Sequence, residues 1–69
     1  MTHNYTLSGW PDLETLYSEL LKNPKSKVNN IPVPDNLNRE KFKSLILKAI
    51  TKEKNKGMID DIIYQLENF

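Results

Sequence analysis

Few residues of this chain have the type and spacing that catalysis requires. Nucleophilic catalysis needs a hydroxyl or thiol activated by a nearby base, but there is no cysteine and the single imidazole is His3, among the first residues. A phosphate-binding loop needs clustered glycines, whereas Gly9 and Gly57 are far apart in the sequence. Asp60 and Asp61 are adjacent, and neighbours on a helix point about 100° apart, so their carboxylates do not converge on one atom. We therefore expect no enzymatic activity and no bound cofactor.

Metal and membrane sites are also disfavoured by the sequence. A closed structural zinc site needs four Cys or His ligands, and His3 is the only such residue. The longest apolar run, Leu45 to Leu47, is far shorter than the ~20 residues of a membrane-spanning helix. The segment from Met1 to Trp10 lacks the basic region and the apolar run of a secretory signal peptide. The sequence therefore predicts a cytoplasmic protein that binds no metal, no membrane and no small molecule.

Charge is distributed unevenly along the chain, although the net charge is only +1. All ten basic residues lie between residues 22 and 56 together with three acidic residues, so this segment carries +7. The flanking segments, 1–21 and 57–69, each carry −3. A basic centre between acidic ends is suited to steering a complementary protein, or a second copy of the chain, into register.

Helical periodicity begins in the segment 11–22, which predicts the first helix. Pro11 suits the first helical position, where its missing N–H costs nothing. Asp12 and Glu14 then fall in the first turn, where the helix dipole favours negative charge. Residues 25–37 follow as an irregular connection, whose prolines allow at most a short edge strand.

Two further helices are predicted over residues 39–55 and 58–68. Asn38 is a typical N-cap for the second helix, and the spacing of Leu37 and Phe42 is that of a hydrophobic staple.

The junction between these two helices is predicted from a glycine and its charged neighbours. Gly57 is expected to end the second helix in a left-handed conformation, with the three lysines between residues 52 and 56 in the last turn. Asp60 and Asp61 would lie in the first turn of the third helix, where they favour its N-terminus.

Together these elements predict an all-α fold, a small three-helix domain with a long proline-containing loop between helices 1 and 2. Residues 1–69 would form one helical domain, with a loose N-terminus over residues 1–9. The predicted core consists of Leu13, Leu20, Phe42, Ile46, Ile50, Ile62 and Leu66.

We interpret the chain as a small protein-interaction module, an adaptor, inhibitor or docking domain, that binds another protein or a second copy of itself. The third helix has more apolar positions than one packing stripe needs, and exposed apolar side chains often mark partner sites. The abundance of lysine, asparagine and isoleucine suggests a small bacterial or phage protein. The candidate partner-binding residues are Trp10, Leu47, Ile59, Ile63 and Phe69.

Nucleic-acid binding is the alternative, since Lys and Arg side chains neutralise phosphates. The candidate contacts are Arg39, Lys41, Lys43, Lys48 and Lys52. The third helix opposes this alternative because it carries three carboxylates and no base, whereas reading of the major groove relies mainly on Arg and Lys.

Overall fold

The computed structural model describes residues 3–10 and 12–69, and within them the chain forms three α-helices and a three-stranded sheet. The helices are α1 (Leu13–Lys22), α2 (Arg39–Ile50) and α3 (Lys56–Glu67). The strands are β1 (Asn4–Tyr5), β2 (Lys27–Val28) and β3 (Ile31–Pro32), and a 3-10 helix spans Leu7–Gly9. The predicted all-α class is therefore wrong, because the fold is α+β.

The sheet is mixed, with β2 between the two other strands. β1 pairs with β2 in parallel and sets Tyr5 opposite Val28, so that α1 connects two parallel neighbours. β3 pairs with β2 in antiparallel orientation and sets Ile31 opposite Val28. The connection predicted to be irregular, with at most a short edge strand, therefore contains a hairpin, and β3 is its edge strand.

Two asparagines make that hairpin possible. Asn29 and Asn30 lie between β2 and β3 and have φ values of 49° and 68°. A two-residue hairpin turn of type I′ needs positive φ at both central residues, and asparagine tolerates this conformation better than most residues.

Residues 3–9, within the segment 1–9 that the sequence predicted to be loose, are held by the sheet and the core, while residues 1 and 2 lie outside the described part of the chain. The backbone N–H groups of Lys27 and Asn29 donate to the carbonyls of His3 and Tyr5, at 2.7 and 2.8 Å. Tyr5 and Leu7 are buried. Their apolar side chains therefore anchor this segment, in addition to its backbone hydrogen bonds.

α1 begins two residues later than predicted. Asp12 is its N-cap, and its Oδ1 accepts a hydrogen bond from the backbone N–H of Glu14 at 3.1 Å. Asp12 therefore caps the helix instead of lying in its first turn, and Glu14 retains its first-turn position. The role predicted for Pro11 lies outside the described residues.

The predicted start of α2 is confirmed. Asn38 is the N-cap, and its Oδ1 accepts a hydrogen bond from the backbone N–H of Lys41 at 2.8 Å. Phe42 is buried and Leu37 is partly buried against the same core, as the staple spacing requires.

The predicted junction between the second and third helices is wrong. α2 ends at Ile50, α3 begins at Lys56, and Gly57 lies in the first turn of α3 without a positive φ. The backbone N–H groups of Lys54 and Asn55 donate to Glu53 Oε1 at 3.1 and 3.2 Å. These bonds favour a turn over continued helix, and α3 has no acidic residue in its first turn.

The core lies where α1, α2, α3 and the sheet meet. α3 packs mainly on α1, and α2 packs on β2 and β3. Of the seven predicted core residues, six are buried and Ile50 is partly buried against them. The buried apolar residues are Tyr5, Leu7, Leu13, Leu16, Leu20, Val28, Val33, Phe42, Leu45, Ile46, Ala49, Ile62 and Leu66.

Asn29 links the hairpin to the end of α2. Its Nδ2 donates to the carbonyl of Ala49 and to Glu53 Oε2, both at 3.1 Å. Its Oδ1 accepts the backbone N–H of Leu7 at 3.2 Å. One side chain therefore connects the turn, the 3-10 helix and the α2–α3 junction.

The pKa of Glu53 reflects this arrangement. Burial acts to raise this pKa, but hydrogen bonds from the backbone N–H of Asn55, the side chain of Asn29 and the backbone N–H of Lys54 outweigh it. The pKa of Glu53 therefore lies below its ordinary value. The resulting stabilisation is complete above the pKa of the unfolded chain, about 4.3, and is lost as the pH falls through the lower folded-state pKa.

Glu53→Gln is accordingly expected to lower the free energy of unfolding by about 1 kcal/mol at neutral pH, through loss of charge-assisted hydrogen bonds. Urea unfolding at pH 7 and at about pH 3 measures this, and the difference from wild type should shrink at the lower pH, because the stabilisation falls once the pH is below the pKa of this carboxyl in the unfolded chain. Glu67→Gln, at an exposed position of α3, is the control. Equal destabilisation by Glu53→Gln at both pH values would contradict the prediction.

Candidate functional site

A groove of about 390 Å³ lies between one side of α2 and the edge strand β3. The strand side and the segment after it supply apolar side chains, and α2 supplies a face that recurs every three or four residues. The lining residues are Ile31, Pro32, Pro34, Glu40, Lys41, Ser44, Leu45 and Lys48.

The helical side of the groove combines an apolar floor with a charged rim. Leu45 is only 3% exposed and forms part of the floor. Lys41 and Lys48 are seven residues apart, which places their Cα atoms about 10.5 Å apart along the helix axis. Between them lies Ser44, which is exposed and small, so that the centre of the groove is open.

The strand side of the groove has no backbone N–H at positions 32 and 34, where the backbone faces away from β2. Val33 donates its N–H to the carbonyl of Ser26 at 3.1 Å, and Ile31 lies opposite Val28. Residue 32 therefore faces away from β2, because hydrogen-bonding directions alternate along a strand. Pro32 has no N–H to offer there, and neither does Pro34 two residues on, so regular pairing of a further strand is blocked.

The electrostatics of the groove are set by two lysines and one glutamate. Lys41 Nζ donates to the backbone carbonyl of Asp35 at 2.9 Å, which directs this ammonium group toward the loop. Lys48 lies near the other end of the groove, and Glu40 lies beside Lys41. The rim is thus basic overall and suits a ligand that carries carboxylates beside apolar side chains.

Three of the predicted partner-binding residues have accessible surface, one of them on α2 and the other two on α3. Leu47 on α2 is 55% exposed and lies one helical turn from Ser44, beside the groove. Ile63 on α3 is 40% exposed, and Ile59 is partly buried. Sequence reasoning did not select Tyr64, which is 68% exposed. Its exposure could have been predicted from its position, because Tyr64 points about 200° around the helix from the buried Ile62.

The two other predicted partner-binding residues, both aromatic, pack against the core. Trp10 is partly buried and meets the ring of Tyr5 edge-on, with centroids 5.5 Å apart. Phe69 lies 5.4 Å from Tyr17 and 5.0 Å from Phe42, measured between ring centroids. Both contribute to intramolecular packing, which leaves only part of each ring for a partner.

Arg39, one of the predicted nucleic-acid contacts, packs against Phe69 and bonds to neighbouring oxygen atoms. Its guanidinium lies 4.5 Å from the ring centroid of Phe69. Its Nη1 donates to the carbonyl of Phe69 at 3.0 Å and to Glu14 Oε1 at 3.3 Å. A phosphate would have to compete with these contacts.

The predicted basic contacts do not share one face. Arg39 and Lys41 point about 200° apart around α2. Lys48 follows the Lys41 side and the groove, whereas Lys43 is partly buried on the other flank. Lys52 lies after α2 and borders a separate cleft with Glu53.

Comparison with protein-family models, curated protein sequences and solved structures gave no match. In the part of the chain that the structure describes, no helix is both long and apolar enough to cross a membrane.

Proposed function

We propose that this chain is a small cytoplasmic protein-interaction module, an adaptor, inhibitor or docking domain without catalysis of its own, and that its docking surface is the groove between α2 and β3. The observation that carries the proposal is the combination of an apolar floor, a lysine rim and a proline-blocked strand edge. The exposed side chain of Leu47 extends the apolar surface beyond the rim.

The form of the partner follows from the strand edge. Binding by strand addition relies on a row of backbone hydrogen bonds, and the prolines remove the donors for it. A partner is therefore recognised through its side chains, as when an amphipathic helix places its apolar face in a groove. The lysine rim favours carboxylates beside that apolar face.

Ser44→Trp is expected to weaken binding of such partners, because the indole fills the open centre of the groove while position 44 stays at the protein surface. The protein is used to select ligands from a displayed library of random peptides, and the enriched peptides are titrated against both forms. We expect amphipathic peptides with acidic residues, bound at least about tenfold more weakly by the variant, which corresponds to about 1.4 kcal/mol.

The matched control is Ser18→Trp, which makes the same change at an exposed position of α1 outside the groove. This control should bind like the wild type. If no peptides are enriched, or if Ser44→Trp binds them as tightly as Ser18→Trp does, the groove is not the docking surface.

The geometry weakens the nucleic-acid alternative, because the candidate basic residues lie on different flanks of α2. We expect duplex DNA and single-stranded RNA to bind no more tightly than ~10⁻⁴–10⁻⁶ M at physiological salt, the range of nonspecific contacts. Fluorescence anisotropy of labelled oligonucleotides measures this. A submicromolar, sequence-selective complex that is lost in the double variant Lys48→Glu with Lys52→Glu would favour nucleic acid over protein as the partner.

A further inference from the structure

We infer that the groove between α2 and β3 accepts the outer face of α3 from a second copy of this chain. The inference rests on the proposed function and names the partner for the same groove. It is carried by a match in spacing and charge between two helical faces of one molecule.

The outer face of α3 has the features that the groove requires of a ligand. Asp60 and Glu67 are exposed, seven residues apart, and lie on one side of the helix. Between them lie Ile63 and Tyr64, which are 40% and 68% exposed. The face therefore presents two acidic residues, whose Cα atoms lie about 10.5 Å apart along the helix axis, on either side of an accessible apolar pair.

The lysines of the groove repeat this spacing. Lys41 and Lys48 are also seven residues apart on a helix, with the open position of Ser44 between them. A copy of α3 laid along α2 brings one carboxylate near each lysine, and at Lys41 that carboxylate competes with the carbonyl of Asp35, which accepts from Nζ at 2.9 Å. Ile63 or Tyr64 then lies above the apolar floor at Leu45.

Charges at the ends of the two faces select a parallel orientation. Lys56 lies one turn before Asp60 on the outer face of α3. When Asp60 meets Lys41, Lys56 points toward Glu40 at that end of the groove. In the antiparallel orientation Lys56 would instead lie near the end of α2, where Lys52 and Glu53 border a separate cleft and Glu40 is out of reach.

This contact joins two different surfaces, so each molecule retains a free groove or a free α3 face after the first contact. Heterologous contacts of this kind form rings or open chains. We therefore expect the mean molar mass in solution to rise with protein concentration, and to rise less at high salt because exposed charges are screened.

Charge exchange tests the inference. Light scattering and sedimentation follow self-association between about 10 μM and about 1 mM, where weak contacts are populated. Lys41→Glu with Lys48→Glu should weaken association at least about tenfold, and so should Asp60→Lys with Glu67→Lys, since each sets like charges opposite one another. A chain that carries all four changes has the net charge of the wild type and should associate again.

A matched control separates contact from net charge. Lys22→Glu with Lys25→Glu changes the charge by the same amount as the groove variant, at exposed positions outside the groove. This variant should still associate. A wild type that stays monomeric, or a fourfold variant that does not regain association, would overturn the inference. Selected peptides that still bind the groove in that case would leave the proposed function intact.

Engineered cysteines give a second readout that does not depend on charge. The chain has no cysteine, and Ser44 and Tyr64 are both exposed. With dissolved oxygen and a copper catalyst as the oxidant, a mixture of Ser44→Cys and Tyr64→Cys chains should form mixed disulfides faster than either variant forms disulfides alone. Equal rates in all three samples would contradict the contact, even if a charge variant had failed to fold.

Discussion

Replacing Ile46 by alanine is expected to lower the free energy of unfolding by about 2–5 kcal/mol, the range for truncating a buried aliphatic side chain. The side chain of Ile46 is completely buried on α2, in the core shared with Phe42 and Ile62. The loss combines the transfer free energy of the removed carbons with the cavity that remains. Because a domain of this size rarely has more than ~3–5 kcal/mol of net stability, the variant should be largely unfolded at room temperature.

The neighbouring residue provides a matched control. Leu47→Ala removes the same number of carbon atoms from the same helix, but Leu47 is 55% exposed. We expect a change within about 0.5 kcal/mol, as for surface substitutions generally. Urea unfolding followed by circular dichroism measures both variants. Similar losses for the two would show that the burial of Ile46 is not what stabilises the fold.

Asn29→Ala should be the second most damaging change, with an expected loss of about 3 kcal/mol. The substitution removes the hydrogen bonds to Leu7, Ala49 and Glu53, and part-buried groups left without a partner cost about 1–3 kcal/mol. It also places alanine at a φ of 49°, a left-handed conformation that asparagine tolerates better than alanine does.

Asn29→Gly separates the two causes. Glycine adopts positive φ without steric penalty, so this variant loses the hydrogen bonds without the backbone strain and should be the more stable of the two, even after the added entropy of its unfolded chain. Thermal and urea unfolding of both variants provides the measurement. If the glycine variant is no more stable than the alanine variant, the left-handed backbone at position 29 does not add to the loss of stability in Asn29→Ala.

The helices were predictable because each has local signals. The Asn38 cap lies next to the helix it starts, and the apolar spacing around Phe42 and Ile46 defines a buried face without reference to the rest of the chain. The end of α2 was not predictable in this way. It depends on Glu53, which accepts hydrogen bonds from nearby backbone and from Asn29, a residue 24 positions earlier. Gly57 was consequently assigned to the wrong helix end.

The sheet was missed because its evidence is not local. Each strand is two residues long, too short for an alternating pattern to stand out. β1 has no nearby partner in sequence, since it pairs with β2 across α1. The one local signal was the Asn29–Asn30 pair between Val28 and Ile31, which is compatible with a type I′ turn.

The candidate site was predictable only in part. Lys41, Lys48 and Leu47 were selected from charge and helical position, but they were assigned to two competing functions. Their relation to Pro32 and Pro34 depends on how β3 lies beside α2, which is a tertiary feature. The packing of Phe69 against Tyr17 and Phe42 is also tertiary, and it explains why an aromatic side chain expected at a partner surface lies against the core.

The prolines at positions 32 and 34 also bear on how this chain behaves when it is concentrated. Apolar segments at an open sheet edge can recruit identical segments from other molecules and grow into cross-β fibrils. Ile31 and Val33 belong to such a segment, and Pro32 interrupts it where the edge faces outward. Proline therefore acts here as a gatekeeper against aggregation. Molecules at high concentration can then associate through their side chains, while strand pairing at the sheet edge is blocked.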